Sequence, residues 1–178
     1  SSYSIRVQVN DGNGETFEKK FTINVTDVND APTDIILSSN TIQENSPSGT
    51  TIGTFSTTDD DTGDSHIYTL VSGNGDDDND SFKISNRTLQ TNAIFNYETK
   101  NSYSIRVQVD DGNGGTFEKS FIINVTDVNE PPTDIILSSN TIAENSEAGT
   151  TIGTFSTTDE DTGDSHTYTF VSGDGDDN

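Results

Sequence analysis

Apolar and polar residues alternate with a period of two through much of this chain. Every second residue from Tyr3 to Val9 is apolar, and the alternation resumes between Phe17 and Val25. The turn-forming residues Asp11-Gly12-Asn13-Gly14 separate the two segments, and Asn-Gly and Asp-Gly pairs are typical of hairpins because they tolerate positive φ. The pattern predicts β-strands, and we identify no helical periodicity.

Seven short strands are predicted within about 100 residues of the middle of the chain. They cover residues 34–38 (with 41–43 as a short continuation), 50–58, 66–72, 81–85, 88–92, 102–109 and 117–126. Short alternating strands with turn signals every 8–12 residues indicate a sandwich of antiparallel sheets. We therefore predict an all-β fold, a seven-strand Greek-key β-sandwich of immunoglobulin-like architecture. The chain lacks the Cys and Trp of a true immunoglobulin core.

The chain repeats itself with a period of 100 residues. Residues 1–78 and 101–178 are identical at 63 positions and differ at 15, without a gap. A period of this length corresponds to a whole domain rather than to a solenoid unit. We predict the last two strands and linker of one repeat at 1–31, a complete repeat at 32–131, and the first strands of a third at 132–178. Both linkers contain proline, which favours stiff spacers.

Composition leaves each repeat with a lean core and a large negative charge. Only 27% of residues are apolar, no cysteine is present to form a disulfide, and the net charge is −23. Such a charge opposes a compact state unless counter-ions intervene, and it disfavours nucleic acid as a partner. No apolar run is long enough to span a membrane. A metal ion is the remaining means of stabilising the repeats.

Acidic residues collect at the ends of the predicted strands rather than along their faces. Examples are Glu44-Asn45, Asp59-Asp60-Asp61, Asp110-Asp111 and the two linkers. Strand ends converge at the poles of a sandwich, so the loops of one repeat would face those of the next across the linker. Clustered oxygen ligands without His or Cys favour Ca²⁺, and Mg²⁺ fits less well because it demands stricter geometry. A solvated acidic surface is the alternative.

The order of these motifs resembles that of cadherin repeats, especially the bacterial cadherin-like repeats of large secreted or surface proteins. Glu44-Asn45 resembles the Pro-Glu-Asn motif with Gln43 in place of proline, and Asn96-Tyr97-Glu98 resembles the Asp-Arg-Glu motif. Residues 27–30 and 127–130 resemble the linker motif, and residues 59–61 and 159–161 the Asp-x-Asp motif. The resemblance covers the entire chain and implies calcium sites between repeats.

Carried over residue by residue, the resemblance implies one set of metal ligands at each linker. At the second linker these are Glu44, Glu98, Asp127, Asn129, Glu130, Asp159 and Asp161, with main-chain carbonyls of Val128 and Pro131. At the first linker they are Asp27, Asn29, Asp30, Asp59, Asp61 and Asp111. Asn96 and Glu130 stand where the family usually has aspartate, and Ala31 and Pro131 where it has asparagine, so fewer or weaker ions are also compatible with the sequence.

Two further signals are interpreted as structural. His66 and His166 begin equivalent strands beside a serine, but adjacent strand residues point to opposite faces, so we expect packing rather than catalysis. The acidic stretch 73–80 lacks the bidentate Glu and flanking helices of a helix-loop-helix calcium site. It is interpreted as a solvated hairpin loop, with an accessory ion as the alternative.

Together these features predict a calcium-rigidified segment of a secreted or surface-exposed bacterial adhesin or surface protein, acting as an extender or cell-adhesion module and not as an enzyme. Its expected partners are calcium, the neighbouring repeats of the same chain, and like repeats or polysaccharide on another surface. One alternative is a module that recognises carbohydrate or itself, for which Tyr97 is the best exposed candidate. Another is head-to-tail assembly of separate chains through the incomplete terminal repeats.

Overall fold

The computed structural model describes residues 1–173 and 175, and its regular secondary structure is almost entirely β-strand. Within that described part, one 3₁₀ turn spans Asn79–Ser81. The strands are β1 (Ser2–Asn10), β2 (Thr16–Asn24), β3 (Asp34–Leu37), β4 (Thr41–Gln43), β5 (Thr51–Thr58), β6 (Ile67–Leu70), β7 (Phe82–Ser85), β8 (Thr88–Thr91), β9 (Ser102–Asp110), β10 (Thr116–Thr126), β11 (Asp134–Leu137) and β12 (Phe155–Thr158). The predicted all-β class and sandwich architecture are confirmed.

Two four-stranded sheets form the sandwich within residues 32–131, here called the central unit. One sheet has the order β3-β5-β8-β7 and the other β4-β10-β9-β6. Most pairs are antiparallel, whereas β4 runs parallel to β10. The predicted continuation at 41–43 therefore leaves the sheet of β3 and joins the opposite one. Gly53 permits this crossover, because a Cβ there would lie 2.6 Å from the carbonyl oxygen of Ser39.

The core lies between the inner faces of these two sheets. Ile35, Phe55 and Leu89 come from the first sheet, and Ile105 and Val107 from the second, each at most 1% exposed. Phe82, Phe95 and Tyr103 close one end as an aromatic cluster with ring centroids 4.5–6.0 Å apart. Apolar burial at about 25 cal/mol per Å² makes this small core the main stabilising element of the central unit.

The acidic stretch 73–80 docks on β9 instead of extending into solvent as a hairpin loop. Asp78 accepts a hydrogen bond from the backbone N–H of Ser104 (2.8 Å) and pairs with Lys100. The Asn79 side chain accepts from the N–H of Arg106 and donates to the carbonyl of Val71. The interpretation as a solvated loop was wrong in this respect, since backbone groups of β9 bind the loop.

Strand pairing is less extensive before and after the central unit. The hairpin β1–β2 pairs over nine residue pairs, from Ser2↔Asn24 to Asn10↔Thr16, and β11 pairs with β12. Residues 141–143 and 167–170 match β4 and β6 in sequence position but are not strands. In the central unit β4 and β6 pair only with the β9–β10 hairpin, and the described residues after 131 supply no such hairpin.

Candidate metal centre

The first acidic group lies at the C-terminal end of β4 and β10. Carboxylate oxygens of Glu44, Glu98 and Asp127 all lie within 4.8 Å of one another. Glu44 follows β4 and is only 2% exposed, and it accepts hydrogen bonds from the backbone N–H groups of Tyr97 and Val128, each 2.8 Å. These backbone donors fix Glu44 in place and connect the turn at residue 97 to the linker.

The second acidic group shares Glu98 with the first and crosses the linker. Oxygens of Glu98, Glu130 and Asp161 also lie within 4.8 Å of one another. Asp161 follows β12 and accepts a hydrogen bond from the backbone N–H of Glu130 at 2.7 Å. Asn96 on the central unit donates to the Glu160 carboxylate (2.9 Å). The loop after β12 is therefore held against the end of the central unit.

The electrostatics of these groups reflect crowding of negative charge. Burial raises the pKa of Asp127, and the charges of Asp161 and Glu44 raise it further. Burial raises the pKa of Glu130 in the same way, followed by the charges of Glu44 and Asp161. Burial alone would raise the pKa of Glu44 as well, but hydrogen bonds from Tyr97 and Val128 outweigh it and leave that pKa lowered. The site holds charge that these side chains alone do not neutralise.

One buried oxygen of the second group has no partner among the residues that the structure describes. Glu130 Oε2 is inaccessible to solvent and makes no hydrogen bond, whereas Glu130 Oε1 accepts one from Asn45 Nδ2. An unpaired buried carboxylate oxygen costs free energy unless a cation or donor satisfies it. The donor set consists of oxygen atoms, which fits a hard cation such as Ca²⁺.

A third acidic group lies at the first linker. Oxygens of Asp59, Asp64 and Asp111 lie within 4.8 Å of one another. Asp111 is 1% exposed and accepts hydrogen bonds from Asn29 Nδ2 (3.0 Å) and from the N–H of Gly115. Asp64 Oδ2 is a second buried oxygen without a partner in the described part of the chain. Each linker thus has a buried carboxylate oxygen without a hydrogen-bond donor among the described residues.

The remaining residues of the first predicted set lie on the same side of the central unit. The backbone N–H of Asp30 donates to Asp61 Oδ2 at 2.6 Å, repeating the contact between Glu130 and Asp161. Asp27 and Asn29 line an open depression together with Asp61 and Asp64. Asp27 and Asp30 themselves are exposed.

Three members of the second predicted set lie beside the acidic groups. Asp159 accepts a hydrogen bond from the N–H of Asp161 (3.2 Å), and the Asn129 side chain donates to the carbonyl of Glu130 (3.0 Å). Val128 contributes its N–H to Glu44. All three lie in the segments that the resemblance to cadherin repeats selected.

Sequence reasoning missed His66 and Asp64 at the first linker and His166 at the second. His66 Nε2 and Asp59 Oδ2 are hydrogen-bonded at 3.0 Å, and His166 and Asp159 repeat this contact at 2.8 Å. The histidine bond lowers the pKa of each aspartate. We expected the histidines only to pack at the strand edge, and this expectation did not include their hydrogen bonds to the carboxylates. Asp64 was also missed, although Asp61-Thr62-Gly63-Asp64 recurs unchanged at 161–164 and could have indicated it.

Comparison with known proteins identifies the family. Residues 38–126, which are 89 of the 178 residues, match the sequence model of the cadherin domain. The chain belongs to the cadherin domain family. Cadherin domains are adhesion modules and not enzymes, so the expectation of a non-enzymatic chain is confirmed.

Curated relatives are much longer than this chain. Mouse protocadherin Fat 4 is 29% identical over 181 residues, covering 98% of this chain and 4% of that protein. Human protocadherin Fat 4 is 30% identical over 169 residues, covering 90% of this chain and 3% of that protein. The chain thus spans only a few per cent of the relatives that it matches.

Solved structures show the same fold. The cis-dimer structure of protocadherin gammaB7 domains 3–6 is 30% identical with a TM-score of 0.61, covering 89% of this chain and 40% of that chain. The extracellular domain of protocadherin gammaB4 is 26% identical, also with a TM-score of 0.61, covering 89% and 26%. Among the described residues, no helix is long and apolar enough to cross a membrane.

Proposed function

We propose that this chain is a calcium-binding segment of an extracellular tandem array, in which the ion fastens consecutive repeats together. The observation that carries the proposal is the position of Glu98. Its carboxylate belongs both to the group with Glu44 and Asp127 and to the group with Glu130 and Asp161. One side chain of the central unit thus joins acidic groups on the two sides of the linker.

Calcium fits this donor set better than other biological cations. The ligands are carboxylate, amide and main-chain oxygens, and Ca²⁺ accepts about 6–8 of these at about 2.3–2.6 Å in flexible geometry. Calcium sites of extracellular modules have dissociation constants of about 10⁻⁴–10⁻³ M, which suit the calcium supply outside cells. An extracellular location of this chain is therefore part of the proposal.

The ligand set that we propose for the second linker is the one implied by the sequence. It comprises Glu44, Glu98, Asp127, Asn129, Glu130, Asp159 and Asp161, with the main-chain carbonyls of Val128 and Pro131. At the first linker we propose Asp27, Asn29, Asp30, Asp59, Asp61 and Asp111, and we add Asp64. His66 and His166 would hold Asp59 and Asp159 in orientation through their hydrogen bonds.

Calcium bound across the linker would stabilise one arrangement of the repeats. An ion that binds only the docked arrangement shifts the equilibrium toward it by mass action. Its positive charge would also compensate the crowded negative charges that raise the pKa values of Glu130 and Asp127. The segment would then act as a stiff spacer in an adhesive surface protein.

A bacterial adhesin as the host stays a prediction, since the relatives with stated organisms come from mouse and human. Recognition of polysaccharide also stays a prediction. Tyr97 packs against the core and is half-buried, which leaves it less available for stacking on a sugar than the sequence suggested.

Calorimetric calcium titration tests the proposal, with an Asp127→Asn, Asp161→Asn double variant beside the native chain. We expect saturable binding in the native chain and loss of the second-linker sites in the variant. The control is Asp77→Asn, Asp80→Asn, which removes the same charge from exposed positions of the 73–80 loop. Equal binding by all three chains would contradict the proposal.

A further inference from the structure

Two asparagine side chains of the central unit make hydrogen bonds across the second linker. Asn96 Nδ2 donates to Glu160 Oε2 at 2.9 Å, and Asn45 Nδ2 donates to Glu130 Oε1. Glu130 belongs to the linker, and its own backbone N–H donates to Asp161. Two series of hydrogen bonds therefore connect the central unit to the loop after β12, and each bond in them joins an N–H donor to a carboxylate oxygen.

The turn that carries Asn96 sets the orientation of its amide group. Asn96 Oδ1 accepts a hydrogen bond from the backbone N–H of Thr99 at 2.7 Å. Because a backbone N–H can only donate, the amide oxygen faces the turn and the NH₂ group faces Glu160. A carboxylate can only accept, so the two side chains are complementary as placed. An aspartate at position 96 would keep the bond to Thr99 but would present a second negative oxygen to Glu160.

Asn45 is held in an equally defined geometry. Its backbone has a φ of 57°, a left-handed conformation that asparagine adopts more readily than most residues. Its backbone N–H donates to the carbonyl of Phe95 at 2.9 Å, which ties the segments bearing the two asparagines to each other. The Asn45 side chain binds one oxygen of Glu130 and thereby fixes the position of that carboxylate.

The loop that receives these bonds is closed by its own hydrogen bonds. The backbone N–H of Asp161 donates to Asp159 Oδ1 at 3.2 Å, and the N–H of Asp164 donates to the carbonyl of Asp161 at 3.1 Å. His166 also contacts Asp159. Glu160 lies within this loop, so bonds to Glu160 and Asp161 hold the loop as a whole.

The two linkers differ at both glutamates that accept the asparagine bonds. Glu130 and Glu160 take the places of Asp30 and Asp60 in segments that otherwise match, namely 27–30 with 127–130 and 59–61 with 159–161. Both differences keep the charge and lengthen the side chain by one methylene group. The second linker thus has the longer carboxylate at each position to which an asparagine donates.

We propose that Asn45 and Asn96 form a calcium-independent clamp on the loop after β12, so that the docked arrangement at the second linker is the most populated one before calcium binds. A hydrogen bond to a charged group contributes more to stability than one between neutral groups, and both bonds act on the same loop. The clamp itself does not depend on the calcium function.

One consequence of the clamp does rest on the proposed calcium function. A ligand binds with higher apparent affinity when the arrangement that binds it is already populated. The clamp would therefore raise the calcium affinity of the second linker without contributing a ligand atom, since Asn45, Asn96 and Glu160 lie outside the proposed ligand set.

Pulsed electron spin resonance in EDTA tests the clamp, with spin labels at Lys83→Cys and Ser156→Cys, two exposed positions on the two sides of the linker. We expect a broad distance distribution whose largest component lies at the distance found in saturating calcium. Glu160→Asp should lower that component several-fold, because the shorter side chain loses the contact with Asn96 while the charge stays. The matched control is Glu147→Asp, which shortens an exposed glutamate of the same repeat and should leave the distribution unchanged.

A second pair of variants tests the donor side of the clamp. Asn96→Asp keeps the acceptor for Thr99 and replaces the NH₂ group by an oxygen that repels Glu160, so the docked component in EDTA should fall. The control is Asn86→Asp, which adds the same charge at the exposed turn between β7 and β8. A native chain without the docked component in EDTA would overturn the proposal, as would equal distributions of each variant and its control.

Calcium titration of the Glu160→Asp variant separates the clamp from the calcium function. We expect this variant to bind as many ions as the native chain, with several-fold weaker affinity at the second linker. An unchanged affinity would contradict the coupling between clamp and calcium. A native chain that binds no calcium would refute the proposed calcium function, whereas the measurements in EDTA would still decide on the clamp.

Discussion

At the scale of single residues, the carboxylates of the second linker have opposite pKa shifts because their hydrogen-bond partners differ. Glu44 receives two backbone donors and its pKa is lowered, despite burial. Glu130 is surrounded by other carboxylates, and burial and these charges raise its pKa. Glu44 is thus stabilised by the fold itself, whereas the charge of Glu130 would be compensated by the cation that we propose.

This contrast predicts a pH dependence for the calcium-free chain. A raised pKa in the folded state means that Glu130 favours folding only in its protonated form, and this contribution is lost as pH rises through the folded pKa. Glu130→Gln should therefore raise the unfolding midpoint at pH 7 in EDTA. Below the pKa of free glutamate the variant and the native chain should unfold alike. The same variant should gain less stability from calcium, and an unchanged calcium response would contradict the assignment of Glu130.

Gly115 is constrained by contact rather than by a positive φ. A methyl group there would press against Asp111 and approach Ala31 Cα to 2.7 Å. Gly115→Ala should lower the free energy of unfolding by about 1–3 kcal/mol, as overpacking does. Gly63→Ala is the control, because a Cβ at Gly63 meets nothing within 4 Å. Urea unfolding in EDTA measures both, and equal stabilities would refute the packing argument.

At the scale of elements, the same strand sequence is buried in one repeat and exposed in the next, depending on whether a second sheet packs against it. Phe55 and Phe155 occupy identical strand segments, yet they are 1% and 45% exposed. Phe55→Ala should cost about 3–5 kcal/mol of unfolding free energy, as expected for a buried phenylalanine, and Phe155→Ala clearly less. Urea unfolding at low protein concentration compares them. Equal losses would mean that Phe155 is also covered in solution.

The strands were predictable where the pattern is local. Alternation predicts 34–38, 50–58 and 102–109, and the structure has strands at each of these places. The assignment of β4 to the opposite sheet was not predictable, because it depends on the close approach of Ser39 to Gly53. The absence of a strand at residues 141–143 was not predictable either. These residues match β4 in sequence position, but a strand forms only when a partner strand is available, and a segment's own sequence does not encode that partner.

The residues of the candidate metal centre could be predicted from the sequence where they belong to a recognisable motif. The acidic groups contain Glu44, Glu98 and Asp127 together, as the motif order implied. Asp64 and His66 were not assigned, because their contacts with Asp59 form across a turn and depend on its conformation. Contacts with a sequence separation of five to seven residues within a loop leave little periodic signal.

At the scale of the whole molecule, the second linker unites elements that are distant in sequence. Glu44 and Glu98 belong to the central unit, whereas Asp161 follows β12. Asn96 and Glu160 form a direct polar contact across this linker. In our account the cation, rather than an apolar interface, fixes the angle between consecutive repeats.

The most direct test is the distribution of distances across this linker. The chain has no cysteine, so Lys83→Cys and Ser156→Cys place spin labels only at two exposed strand positions, one on each side. Pulsed electron spin resonance should give a broad distance distribution in EDTA and a single narrow one in saturating calcium. The Asp127→Asn, Asp161→Asn background should keep it broad. A distribution of equal width with and without calcium would contradict the claim that the ion fixes the joint.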